Sequence, residues 1–113
     1  MNLRIAVIIL ACLTSATCNK LRVTVPPCIE QKINTIKAQP KWNPPAQVDE
    51  YMYKGQIVYL FSGNCCDQYN ELYDASCTYL CAPSGGITGK GDGKCTDFST
   101  AATLVRTIWK DNR

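Results

Sequence analysis

The hydrophobic pattern changes period along the chain, and each change marks an element. An unbroken apolar run, IAVIILACL at residues 5–13, follows Arg4 and gives way to the small residues Thr14, Ser15, Ala16 and Thr17. It is too short for a bilayer span, which needs about 20 apolar residues. With a basic start and a small-residue exit it predicts a secretory signal. From residue 28 the spacing turns helical. Ile29, Ile33 and Ile36 share one face, while Glu30, Gln31, Lys32 and Lys37 cover the others. Pro26 and Pro27 ahead, with Pro40 behind, bound a helix over residues 28–38.

Three prolines around Trp42 then forbid regular hydrogen bonding, and residues 39–46 read as an extended strap that lays the indole on the core. Residues 48–63, rich in Tyr, Val, Ile and Phe, predict a hairpin turning at Lys54-Gly55. Tyr51 and Tyr53 share one face of its first strand; Ile57, Tyr59 and Phe61 lie opposite Val58 and Leu60 on the second. A second hairpin places Leu72 and Tyr73 before an Asp74-Ala75-Ser76-Cys77 turn and Tyr79 after it, with the Asp74 carboxylate free to bond backbone two residues on. Beyond Asp97, an apt N-cap, Phe98, Ala101, Ala102, Val105, Ile108 and Trp109 repeat at helical spacing and predict a second helix. The fold class expected is therefore α+β: a small disulfide-braced domain with two helices packed on an antiparallel sheet of two hairpins.

The cysteines refine the N-terminal reading. Cleavage after Ala16 fits a small-x-small rule, whereas Cys18 can accept a lipid as the first residue of a lipoprotein, although Ser15-Ala16-Thr17 departs from the usual lipobox. The chain has eight cysteines. Loss of Cys12 with the signal and lipidation of Cys18 leave six, Cys28, Cys65, Cys66, Cys77, Cys81 and Cys95, which can pair fully; cleavage after Ala16 leaves an orphan thiol. Parity favours residues 1–18 as a lipoprotein-type signal and residues 19–113 as one disulfide-stabilised domain. Six cysteines allow about 15 connectivities. Neighbouring Cys65 and Cys66 are expected to bond to two different partners, and Cys81 to Cys95.

Composition removes several functions. Twelve Lys and Arg against nine Asp and Glu leave a net charge of +3, with no basic run or basic-aromatic interleaving, so no nucleic-acid partner is expected. The absence of histidine excludes His-based triads, Cys-His dyads and His-ligated metals. No C-x-x-C motif suggests redox catalysis. The carboxylates Asp49, Glu50, Asp67, Glu71 and Asp74 read as solvated surface, since a glycosidase needs its pair held in a cleft. No catalytic, cofactor-binding or metal-ligating residue is expected.

The glycine-rich stretch between Cys81 and Cys95 is the remaining candidate. A Walker loop aligned on Gly89-Lys90 fails at both ends, with Ser84 where Gly is needed and Gly91 in place of Ser or Thr. Asp92 has too few oxygen neighbours in sequence for a calcium loop. Tight turns made rigid by a Cys81–Cys95 disulfide are the expected role, with Lys90 and Asp92 as a candidate binding loop.

The run NCCDQYNELYDASCTYLCAPSGGITGKGDGKCTDF, with EYMYKGQIVYLF before it, resembles a family of small exported proteins from Bacteroidota-type bacteria, many of them lipoproteins. Its signature is LYD…C…CAPSGG.TG.GDG.C.DF, it spans residues 28–109 here, and it is described only as a domain of unknown function. The resemblance implies export, an envelope anchor and a shared small α+β domain, and carries no activity. The expected function is a non-enzymatic, exported or envelope-anchored binding or accessory module: a monomer with a protein or glycan partner, meeting the membrane only through Cys18. The alternative is a small disulfide-rich inhibitor of an extracellular hydrolase, acting through the Cys81–Cys95 loop with Lys90 in the protease pocket.

Overall fold

A computed structural model describes residues 24–113. The signal segment and the lipidation site at Cys18 lie outside the described residues. The elements run α1 (Pro27–Lys37), β1 (Gln47–Tyr53), β2 (Gln56–Phe61), β3 (Tyr69–Asp74), β4 (Tyr79–Gly85), α2 (Phe98–Ala101) and β5 (Thr103–Lys110). The five strands form one antiparallel sheet in the order β4-β3-β2-β1-β5.

Strand alternation gives the sheet two buried faces. Ile29, Ile33 and Ile36 of α1 pack with Ala46, Val48, Tyr59 and Phe61 on one. On the other, Tyr53, Val58 and Leu72 bury Cys81, Cys95 and Phe98. Burying an aliphatic side chain such as Ile29, which is fully enclosed, contributes about 1.5–3 kcal/mol. Helix α1 begins with Pro27 at its first position, where a missing N–H costs nothing. Its far end is closed by Arg113, whose Nη1 donates to the carbonyls of Lys37 at 3.0 Å and Gln39 at 2.8 Å. The β1–β2 turn takes positive φ at both Lys54 (49°) and Gly55 (77°), a type I′ geometry that suits the sheet's twist.

Two expectations fail here. The C-terminal segment is not a long helix: α2 is a single turn of four residues, and β5 then pairs with β1. Phe98 through Trp109 satisfy a helical stripe, but Thr103, Val105, Thr107, Ile108 and Trp109 are strand formers, and β1 would otherwise be an unpaired edge. Asp97 makes no side-chain cap to α2. It accepts the Tyr53 hydroxyl at 2.5 Å and faces Lys54 Nζ at 3.5 Å, which together hold its carboxyl below the usual range. The sheet is accordingly five strands rather than two hairpins, and it carries one long helix rather than two.

The disulfides join Cys28 to Cys77, Cys81 to Cys95, and Cys65 to Cys66. The first ties α1 to the β3–β4 turn and the second closes the glycine-rich loop. Neighbours Cys65 and Cys66 bond each other, not two separate partners. Glu50 also departs from expectation: it is buried, not solvated, and its Oε2 meets the guanidinium of its cross-strand neighbour Arg106 at 3.4 Å.

Candidate functional site

Between α1 and the β2–β3 end of the sheet lies an open cleft of about 540 Å³. One wall is the C-terminal half of α1 with Gln39 and the strap's Trp42; the other is Phe61, the loop of residues 62–68, and Tyr69, Glu71 and Tyr73 of β3. A cleft therefore stands beside two carboxylates, Asp67 and Glu71, that the sequence assigned to bare surface.

The floor is aromatic. Phe61 and Tyr73 meet edge to face, with centroids 5.5 Å apart. The Lys32 ammonium stands 4.1 Å from the Tyr73 centroid and 5.9 Å from that of Phe61, so its charge is partly satisfied by ring faces. The Tyr73 hydroxyl donates to Glu71 Oε2. Burial, and then that bond, raise the Tyr73 phenol well above its ordinary pKa, so it stays protonated. At the strap, Trp42 Nε1 donates to Gln39 Oε1 at 2.9 Å, fixing the indole. Tyr69 is 44% exposed.

Loop 62–68 is pinned at both ends. Ser62 exchanges bonds with Gln47, its N–H donating to the Gln47 carbonyl at 3.0 Å and its Oγ accepting from the Gln47 N–H at 2.8 Å. Gly63 N–H donates to Asn70 Oδ1 at 2.7 Å, and Asn70 Nδ2 donates on to Ser84 Oγ at 3.0 Å. Between these anchors the exposed Cys65–Cys66 pair sits among Asn64, Asp67 and Gln68, all of which line the cleft.

The loop closed by Cys81 and Cys95 lies beside this site. Gly86 donates its N–H to the Gln68 carbonyl at 3.1 Å. Lys90 is exposed, and its backbone forms an isolated parallel bridge with Gly85. Asp92 is tied down at the surface: it accepts the Tyr79 hydroxyl at 2.5 Å and the Lys94 N–H at 3.0 Å. The Tyr79 bond lowers the Asp92 carboxyl and pushes the Tyr79 phenol up to about 12. Lys90 and Asp92 thus sit differently, one at the solvent and one tied to β4. At Gly91 (φ 76°) a Cβ would overlap the Ala82 carbonyl oxygen, so the loop needs glycine there for close packing.

A family model described as a domain of unknown function (DUF6970) matches residues 34–111, covering the sheet, both later disulfides and most of the cleft. The chain belongs to that family. No curated protein and no solved structure matches it. Among the described residues of this DUF6970 protein, no group of three or more Cys, Asp or Glu is placed to hold a metal ion. No helix among them is long and apolar enough to cross a membrane.

Proposed function

We propose that the protein is a non-enzymatic binding module, exported by a signal that ends just before Cys18 and held to the cell envelope by a lipid on Cys18, which takes its ligand in the α1–β3 cleft. The supporting observation is the cleft itself. Its volume of about 540 Å³ falls within the roughly 300–1,000 Å³ of ligand sites, and its lining sets aromatic rings among a majority of polar side chains. The basic start, short apolar run and small-residue exit of residues 4–17 support the export part of the reading.

Thermal melting against fractions of host envelope tests the reading. A fraction that raises the midpoint of the wild type but not of Tyr69→Ala supports it, since a ligand of the native state stabilises by mass action. Equal shifts in both proteins contradict it. Intact-mass measurement of the native protein tests the anchor through a diacylglyceryl adduct on Cys18.

One observation favours a second reading, inhibition of an extracellular hydrolase. Lys90 is exposed on a loop whose base is clamped by Cys81–Cys95, an arrangement that preorganises a contact residue. Loss of inhibition in Lys90→Ala would support that reading.

A further inference from the structure

Resting on the reading that the α1–β3 cleft is the binding site, we infer that its ligand is a short neutral oligosaccharide. Three features of the lining select that chemistry. First, two exposed or half-exposed aromatic residues line it, Trp42 from the strap and Tyr69 from β3. Flat ring faces pack against the C–H faces of pyranose rings, and the indole is held in place by its bond to Gln39.

Second, most of the polar lining can read hydroxyls. Asn64, Gln68 and Gln39 supply amides, Thr35 a hydroxyl and Asp67 a carboxylate. Amides and carboxylates are planar and offer paired donors or acceptors, which suits the adjacent hydroxyls of a sugar. Third, the charge balance disfavours acidic ligands. Two carboxylates, Asp67 and Glu71, line the cleft against one cation, Lys32, and that ammonium lies over the Tyr73 and Phe61 rings.

The same geometry disfavours a peptide bound by strand addition. Strand addition needs a free sheet edge, whereas β2 and β3 are interior strands whose backbones pair on both sides.

The test is chemical-shift mapping of the purified, disulfide-intact protein against defined probes at millimolar concentration. These are N,N′,N″-triacetylchitotriose, cellotriose, maltotriose, mannotriose, trigalacturonate and a tryptic digest of casein. The expected result is that a neutral trisaccharide perturbs the Trp42 indole and the amides of Gln68 and Tyr69, while trigalacturonate does not. Tyr69→Ala and Trp42→Ala should each weaken that binding by about tenfold, the ratio set by about 1.4 kcal/mol of lost stacking. Tyr69→Phe, which keeps the ring, should bind like wild type and guards against a folding defect. Casein peptides perturbing the cleft while every saccharide fails would overturn the saccharide and leave the cleft reading standing. Perturbation by any probe only outside the cleft would overturn both, and silence toward every neutral saccharide overturns the saccharide.

Discussion

Gly86 lies against the ring of Tyr69: a methyl group on Gly86 would stand 2.5 Å from Tyr69 Cε1. Through this contact the glycine-rich loop supports one aromatic wall of the cleft. Gly86 also holds φ at 76°, where an L side chain is strained. Gly86→Ala should therefore displace the Tyr69 ring and destabilise the fold by about 1 kcal/mol or more. Shifted Tyr69 ring resonances with a lowered melting midpoint are the expected observation; an unmoved ring would show that the two segments are independent.

The disulfides should differ sharply in worth. Cys28–Cys77 closes 49 residues, which in the chain-entropy picture stabilises by about 4 kcal/mol. Cys65–Cys66 closes no loop of consequence and shapes only the cleft wall. Denaturant unfolding of Cys28→Ser/Cys77→Ser should show most of that loss. Cys65→Ser/Cys66→Ser should cost under about 1 kcal/mol while moving the amide signals of Asn64, Asp67 and Gln68. A large stability loss in the second variant would assign that pair a structural role.

How far the sequence led can be argued from particular residues. Helix α1 was legible because Ile29, Ile33 and Ile36 carry the period in eleven residues between prolines. The first hairpin was legible from its turn, as was the second, where the Asp74 carboxylate accepts from Ser76 N–H at 2.9 Å. Strand β5 was not, because residues 98–109 satisfy two periods and the deciding partner, β1, is some fifty residues away. The same distance hid the burial of Glu50 by Arg106. The cleft was invisible for a related reason: Lys32, Trp42 and Tyr69 converge only after α1 docks on the sheet. Cys65–Cys66 was misread because adjacency suggested two tethers, whereas the other four cysteines pair among themselves.

Arg106→Leu tests the β1–β5 register. It leaves the Glu50 carboxylate, 2% exposed, without its cation. The expected loss is about 2–3 kcal/mol, below the cost for a fully buried pair because the Arg106 side chain is one-third exposed. Adding Glu50→Gln should recover part of it. A neutral single variant in urea unfolding would contradict the pairing.

Acid should loosen the clamp beyond β5. The buried Asp111 carboxylate takes a forked contact from Arg113, Nε to Oδ1 at 2.9 Å and Nη2 to Oδ2 at 2.7 Å, and this lowers its pKa to about 2. A depressed carboxyl contributes stability above its unfolded value, near pH 4, and loses it as pH falls through the folded value. Asp92 and Asp97 shift in the same direction. Unfolding midpoints should fall between about pH 4 and pH 2. Asp111→Asn should be less stable at neutral pH and flatter across that window. Parallel pH curves for variant and wild type would remove Asp111 from the account.

The proposed binding surface is the α1–β3 cleft, not the Lys90 loop. Mapping amide shifts of the purified protein against envelope fractions of its own host tests it most directly. The expected perturbations fall at Lys32, Gln39, the Trp42 indole and residues 62–73, with Lys90 unmoved. Perturbations gathered around Lys90, with the Trp42 and Tyr69 signals unchanged, would contradict it.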